Sequence, residues 1–69
     1  MPVKRLVLMA NQIGTYFISQ HDGEAERLIA DHLRRNWDPR MRCAILAHVE
    51  QGGAGLEPRV LRAVRLLGP

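Results

Sequence analysis

Few side chains in this sequence could serve as nucleophile, general base or metal ligand: one cysteine, Cys43, and the three histidines His21, His32 and His48. No two of the four are three or four residues apart, the spacing that puts ligands on one face of a helix. A Cys–His pair would also need an oxyanion hole and an orienting group, and no motif marks either. The sequence therefore predicts no catalytic and no metal site, and we expect a small buried thiol with boundary or solvated histidines.

The glycine-rich segment 52–55 does not match a phosphate-binding loop, because it follows a predicted helix and lacks the lysine. A chain of 69 residues also leaves little volume for a closed pocket, since a domain of this size buries only about 60% of its surface. We therefore expect a protein that is not an enzyme and that a partner stabilises. One cysteine excludes an internal disulfide and fits a reducing cytoplasm. No apolar run reaches the roughly 20 residues of a membrane span, and the first ten residues do not form a signal peptide.

Charge is distributed unevenly along the chain. Residues 1–33 have a net charge of −1, with three basic and four acidic side chains, whereas residues 34–69 have +4, with seven arginines and three acids. Arginine is favoured where a guanidinium meets carboxylates, phosphates or aromatic rings, so this half predicts a protein or a nucleic-acid partner. Charge alone does not choose between them. A small basic helical module that binds nucleic acid is therefore kept as the alternative function.

Three breaks, at Asp22-Gly23, Asp38-Pro39 and residues 52–55, divide the chain into four segments. Each segment repeats apolar residues at the helical period, and none alternates with a period of two. We predict one all-α domain over residues 1–69. It is a small array of three to four short helices, at about 3–20, 24–37, 39–51 and 58–67.

The apolar stripes of these helices predict the core, and Gly14 on the first stripe predicts a close approach of another helix. Asp22 and Asp38 are the predicted side-chain caps of the second and third helices, and Gly52 or Gly53 the stop of the third. The four stripes are Val3, Leu6, Val7, Ala10, Ile13 and Phe17; Ala25, Ile29, Leu33 and Trp37; Met41, Ile45, Leu46 and Val49; Val60, Val64 and Leu67. Arg59, Arg62 and Arg65 are predicted to lie opposite the last stripe.

The face of the first helix opposite its apolar stripe has no formal charge after Arg5. The sixteen residues from Leu6 to His21 include no acidic or basic side chain, counting histidine as neutral. Leu8, Asn11, Gln12 and Thr15 lie on this face, where a solvated helix usually carries charges of both signs. Interfaces are depleted of charge but keep hydrogen-bonding groups. We therefore predict that these four residues contact a protein partner; a polar, merely solvated helix is the alternative.

The corner between the second and third helices is a second predicted contact. It contains the only tryptophan, Trp37, followed by Asp38, Arg40 and Arg42, and tryptophan with arginine is typical of binding hot spots. Trp37 could equally fill the core at the end of its stripe. Arg40 lies in the first helical turn, where the dipole disfavours a cation, so it predicts a partner carboxylate or phosphate unless Asp38 offsets it. Arg42 either shares that role or lays its stem along apolar surface.

Four short motifs follow one another along the chain: Met9-Ala10-Asn11-Gln12-Ile13-Gly14, Ala30-Asp31-His32-Leu33-Arg34, Trp37-Asp38-Pro39-Arg40-Met41-Arg42 and Gly52-Gly53-Ala54-Gly55-Leu56. In these motifs the chain resembles the delta subunit of soluble NAD-dependent molybdenum formate dehydrogenase. The resemblance covers nearly the whole chain, in the same order and with similar spacing.

The resemblance implies a non-catalytic subunit of a cytoplasmic complex that supports assembly, stability or activity. In such enzymes the alpha subunit carries a bis-molybdopterin guanine dinucleotide molybdenum centre and iron–sulfur clusters. The beta and gamma subunits carry FMN and further clusters, and formate oxidation delivers electrons through them to NAD. The delta chain would hold none of these cofactors, and its partner would be the alpha subunit.

Overall fold

Four α-helices and one short 3₁₀ turn make up residues 2–68, the part of the chain that the computed structural model describes. They are α1 (Val3–Gln20), the 3₁₀ turn (Asp22–Glu24), α2 (Ala25–Asn36), α3 (Pro39–Glu50) and α4 (Pro58–Leu66). No strand occurs within these residues, so the predicted all-α class is confirmed. The helix ends differ from the predicted ones by no more than one residue.

The core lies between α2 and α4, which pack most extensively, and it is closed by the inner sides of α1 and α3. The predicted stripe of α2 is buried over its whole length, including Trp37, which follows the helix in an extended conformation. Ala63 and Leu56 join the core although the sequence reading left them out. The buried cluster consists of Leu6, Ala10, Ala25, Ile29, Leu33, Trp37, Ile45, Val49, Leu56, Val60, Ala63 and Val64.

Gly14 is the point of closest approach between α1 and the α2–α4 pair. A Cβ atom at this position would overlap the Cγ2 methyl group of Val60 and lie 3.7 Å from Cδ1 of Ile29. The predicted close approach at Gly14 is confirmed. Because Gly14 has no side chain, the α1 backbone can pack directly against Val60 of α4. The opposite, uncharged side of α1 then faces solvent.

Two glycines end α3 as predicted. The N–H of Gly52 donates to the carbonyl of Val49 and the N–H of Gly53 to that of His48, both at 3.0 Å. Gly52 and Gly53 have φ of 111° and 66°, a backbone region that other residues rarely adopt. This pattern of two reversed hydrogen bonds is a Schellman motif, which satisfies helix-end carbonyls and turns the chain towards α4.

One of the two predicted caps is correct and the other is wrong. Asp38 caps α3, since its carboxylate accepts from the backbone N–H of Met41 at 3.0 Å. Asp22 does not cap α2, because the 3₁₀ turn moves the first residue of that helix to Ala25 and no side chain caps it. The Asp22 carboxylate pairs instead with the guanidinium of Arg59 on α4.

Candidate protein interface

The outward face of α1 is apolar at two points and uncharged between them. Leu8 and Tyr16 are 59% and 58% exposed, and both belong to the few large hydrophobic side chains that residues 2–68 leave in solvent. Gln12 lies midway, four residues from each, so the three side chains follow one another along the helix surface. Leu8, Gln12 and the exposed Thr15 thus lie where the sequence placed them. Tyr16 was missed, although its i+4 spacing from Gln12 could have revealed it.

Two hydroxyl groups on this side of α1 are already bonded within the helix. Thr15 Oγ1 donates to the carbonyl of Asn11 at 3.0 Å, and Ser19 Oγ donates to that of Tyr16 at 2.9 Å. A hydroxyl whose proton is satisfied internally loses less on removal from water than an unpaired one. Another protein can therefore cover these two hydroxyl groups at a low desolvation cost.

Asn11 lies at the edge of the face and has an internal role. Its Nδ2 donates to the carbonyl of Gly55 at 2.9 Å, and its Oδ1 accepts from the N–H of Glu57 at 3.0 Å. Both of its amide groups are thereby used to hold the loop before α4 against α1. The hydrogen bonds within the chain thus explain Asn11 without a partner protein.

The tryptophan corner is also largely explained by the fold. Trp37 is 4% exposed and fills the core, the alternative that the sequence left open. Arg42 Nη1 donates to the carbonyl of Trp37 at 2.5 Å and to that of Arg34 at 3.2 Å. These carbonyls lie at the end of α2, where the helix offers them no partner. Arg42 therefore joins the end of α2 to the start of α3.

Arg40 is the member of the corner that points outward without such a role. It is exposed, and no hydrogen bond or ion pair within residues 2–68 involves its guanidinium. Together with Asp38 it borders an open cavity of about 300 Å³ between α1 and α3, whose apolar walls are Leu6, Met41 and Ala44. The eight predicted contact residues thus separate into two groups. Leu8, Gln12, Thr15 and Arg40 face solvent, whereas Asn11, Trp37, Asp38 and Arg42 hold elements of the fold together.

The uneven charge along the sequence becomes a contact between α2 and α4. Arg59, 23% exposed, bonds through its guanidinium with Asp22 and with Glu26, the latter at 3.0 Å from Nη2 to Oε1. Arg62 lies 3.3 Å from the other oxygen of Glu26. Arg59 and Arg62, which were predicted to lie opposite the apolar stripe of α4, thus bind the acidic start of α2. Arg34 likewise pairs with Asp31 at 2.9 Å.

These ion pairs change the protonation chemistry of the cluster. The hydrogen bond from Arg59 is the main cause that lowers the pKa of Glu26 to about 2. The carboxylates of Glu26 and Asp22 in turn raise the pKa of Arg59 further above its ordinary value. Three of the seven arginines of the basic half are thus matched by acids of the other half. Ion pairs within the fold therefore reduce, but do not remove, the positive charge that favoured a nucleic-acid partner.

The candidate ligands of the sequence do not meet. Within residues 2–68 no group of three or more histidine, cysteine, aspartate or glutamate side chains is arranged to hold a metal ion. His48 lies with Nε2 2.8 Å from the carbonyl oxygen of Ala54, and the ring of His32 packs edge-on at 5.9 Å from Phe17. The expectation of a buried thiol was wrong, since Cys43 is exposed on the outer side of α3.

The fold and these surfaces define a small all-α protein whose candidate site is an exposed helix face. None of the helices in the described part of the chain is long and apolar enough to cross a bilayer. Residues 5–64 match the family described as NADH-dependant formate dehydrogenase delta subunit FdsD, and the chain therefore belongs to this family. The family expectation from the sequence motifs is thus confirmed. No curated protein and no solved structure gives a significant match.

Proposed function

We propose that this chain is a non-catalytic accessory subunit of a cytoplasmic NAD-dependent formate dehydrogenase complex. It docks on the catalytic alpha subunit, in an assembly that also contains the beta and gamma subunits. There it supports assembly, stability or activity. Membership of the delta-subunit family supports the complex as the context.

The single observation that carries the docking role is the uncharged outer face of α1 with two large exposed side chains. Full burial of a side chain such as Leu8 contributes about 1.5–3 kcal/mol, and an aromatic such as Tyr16 contributes at least as much. The satisfied hydroxyls of Thr15 and Ser19 lower the opposing cost. A partner that binds only the folded chain also stabilises it by mass action, which suits a domain of this size.

The redox chemistry belongs, in this proposal, to the other subunits. The molybdenum centre, the iron–sulfur clusters and FMN are bound by alpha, beta and gamma, and this chain binds no cofactor. Its single cysteine could supply only one of the thiolates that an iron–sulfur cluster requires. What this chain contributes is a folded surface, and its effect on turnover is indirect.

Co-purification with the other three subunits tests the proposal. We expect Leu8→Asp and Gln12→Glu to reduce retention in the complex about tenfold or more, because each buries a new charge in an interface. Gln51→Glu is the matched control, since Gln51 is an exposed glutamine away from α1 and should leave retention unchanged. Thermal unfolding of each isolated variant should stay close to that of the parent, since the substituted positions are exposed.

Retention of both α1 variants at the parent level would refute the α1 face as the docking surface. Failure of the parent chain itself to co-purify would refute the accessory role. A nucleic-acid-binding role is not favoured, because the family is that of a subunit of a protein complex and two of the seven arginines that suggested the role are engaged in the ion pairs between α2 and α4. Binding to duplex DNA that weakens steeply with salt would revive it.

A further inference from the structure

A second surface lies on the far side of α3 from α1. Two adjoining cavities, of about 700 and 430 Å³, run between α3 and the C-terminal end of α4 and share Cys43, Leu46 and Gly68 as walls. Ala47 and Leu67 extend the apolar lining. We call this surface the α3–α4 groove. It is separated from the α1 side, because α3 turns Ala44 towards α1 and Leu46 towards α4.

The groove has an arginine rim. Arg34 and Arg42 border one cavity and Arg65 the other, against a single acidic wall residue, Glu50. Two of these cations are held in place: Arg34 pairs with Asp31 and donates from Nη2 to the carbonyl of Leu66 at 2.7 Å, and Arg42 bonds to the end of α2. Arg65 is therefore the rim cation whose guanidinium has neither an ion pair nor a hydrogen bond within residues 2–68. Positioned guanidiniums lose less conformational entropy when they bind a carboxylate. Arg65 is exposed in the last turn of α4.

We propose that the α3–α4 groove binds a segment of a protein partner that carries apolar side chains beside carboxylates. The apolar lining and the neighbouring Leu66, 52% exposed, suit the first requirement, and the rim suits the second. A nucleic acid fits less well, because the groove has no aromatic wall on which bases could stack.

A second copy of this chain is a poor occupant because most of its carboxylates already have a partner within the fold. Of its seven acids, six are engaged within residues 2–68. Asp22, Glu24, Glu26 and Asp31 form ion pairs, and Asp38 and Glu57 cap helices. The seventh, Glu50, is itself a wall of the groove. The carboxylates that complement the rim must therefore come from another protein.

Zero-length crosslinking in the assembled complex tests this assignment. The chain has one lysine, Lys4, so Arg65→Lys adds a second side-chain amine that a carbodiimide can couple to a nearby carboxylate. We expect a crosslink from position 65 to an aspartate or glutamate of a partner subunit, identified by mass spectrometry. Arg35→Lys is the matched control, since Arg35 is also exposed in the last turn of a helix but does not line the groove. It should give no such product.

Cys43 provides an independent readout from inside the groove. Alkylation of this thiol should be slower by about tenfold or more in the complex than in the isolated chain, because a bound segment blocks access. Arg65→Glu should restore fast alkylation, whereas Arg35→Glu, with the same change of charge, should not. Both variants keep the buried core intact, since both positions are exposed.

The outcomes of these experiments distinguish this proposal from the α1 docking role. The proposal rests on the proposed function only because the experiments use the assembled complex. Co-purification with an unchanged rate of Cys43 alkylation overturns the groove and leaves the accessory role standing. Protection without a crosslink from Arg65→Lys overturns the acidic partner segment. Crosslinks between two copies of this chain overturn it in favour of a dimer.

Discussion

The outer face of α1 carries no formal charge from Leu6 to His21, whereas the contact between α2 and α4 joins Asp22 and Glu26 to Arg59 and Arg62. The two regions have similar sequence signals, since each is a helix surface rich in polar residues. The two regions differ in what lies against them. The charged surface meets another helix of the same chain, and the uncharged one meets solvent.

This difference separates residues that build the fold from residues that are available to a partner. The charged cluster is complete within the chain, because each of its carboxylates has a guanidinium. The α1 face is incomplete, because Leu8 and Tyr16 have no apolar neighbour on their outer side. Substitutions in the first region should therefore act on stability, and substitutions in the second on assembly.

The largest effect on stability is expected at Trp37. Trp37→Ala should lower the free energy of unfolding by about 3–5 kcal/mol, because it removes the largest side chain of the core. A domain of this size has a total of roughly 3–10 kcal/mol, so the variant should lose a third or more of its stability. Circular dichroism during urea titration measures this loss. Trp37→Phe, which keeps an aromatic ring, should lose much less.

A fully folded Trp37→Ala chain that fails to co-purify would reverse this interpretation and return Trp37 to the interface. That outcome would mean that the tryptophan corner, like the α1 face, is available to a partner and does not build the fold. The exposed fraction of 4% predicts the opposite.

The sequence predicts the helices well and the roles of single polar residues less well, for a physical reason. Apolar periodicity and the Asp38-Pro39 and Gly52-Gly53 signals are local, so they determine helix position and end without knowledge of neighbours. The role of Asn11 depends on Gly55, 44 residues away, and that of Asp22 depends on Arg59. Such pairings arise only when the helices pack.

Asn11 and Gln12 offer a test of intermediate size within two adjacent residues. Asn11→Ala should lower the free energy of unfolding by about 1–2 kcal/mol, because two hydrogen bonds to the loop before α4 are lost. Gln12→Ala should change it by less than about 0.5 kcal/mol, because Gln12 is exposed. Urea denaturation of both variants measures the difference. Equal stability of the two variants would show that the hydrogen bonds of Asn11 to the loop before α4 contribute nothing to the stability of the fold.

The smallest effect is expected from acid titration of the charged cluster. Glu26 has a lowered pKa, about 2 against 4.5 in an unstructured chain, so its ionised form contributes stability above pH 4.5. As the pH falls towards 2, the unfolded chain takes up a proton that the folded chain resists, and this contribution is lost. Glu26→Gln has no such group, so its melting temperature should fall less over this range. The difference is modest because these side chains are partly exposed to solvent.

A double-mutant cycle assigns the titration to the pair. Arg59→Met should remove most of the same acid dependence, since the hydrogen bond from Arg59 is the main cause of the lowered pKa. Adding Glu26→Gln to it should change little further. The coupling between the two positions should therefore shrink as the pH falls from 4.5 to about 2, and melting curves of the four chains measure it. A coupling that stays constant across this range would mean that packing, and not charge, joins α2 to α4 at this point. The contrast with the uncharged face of α1 would then lose its electrostatic basis.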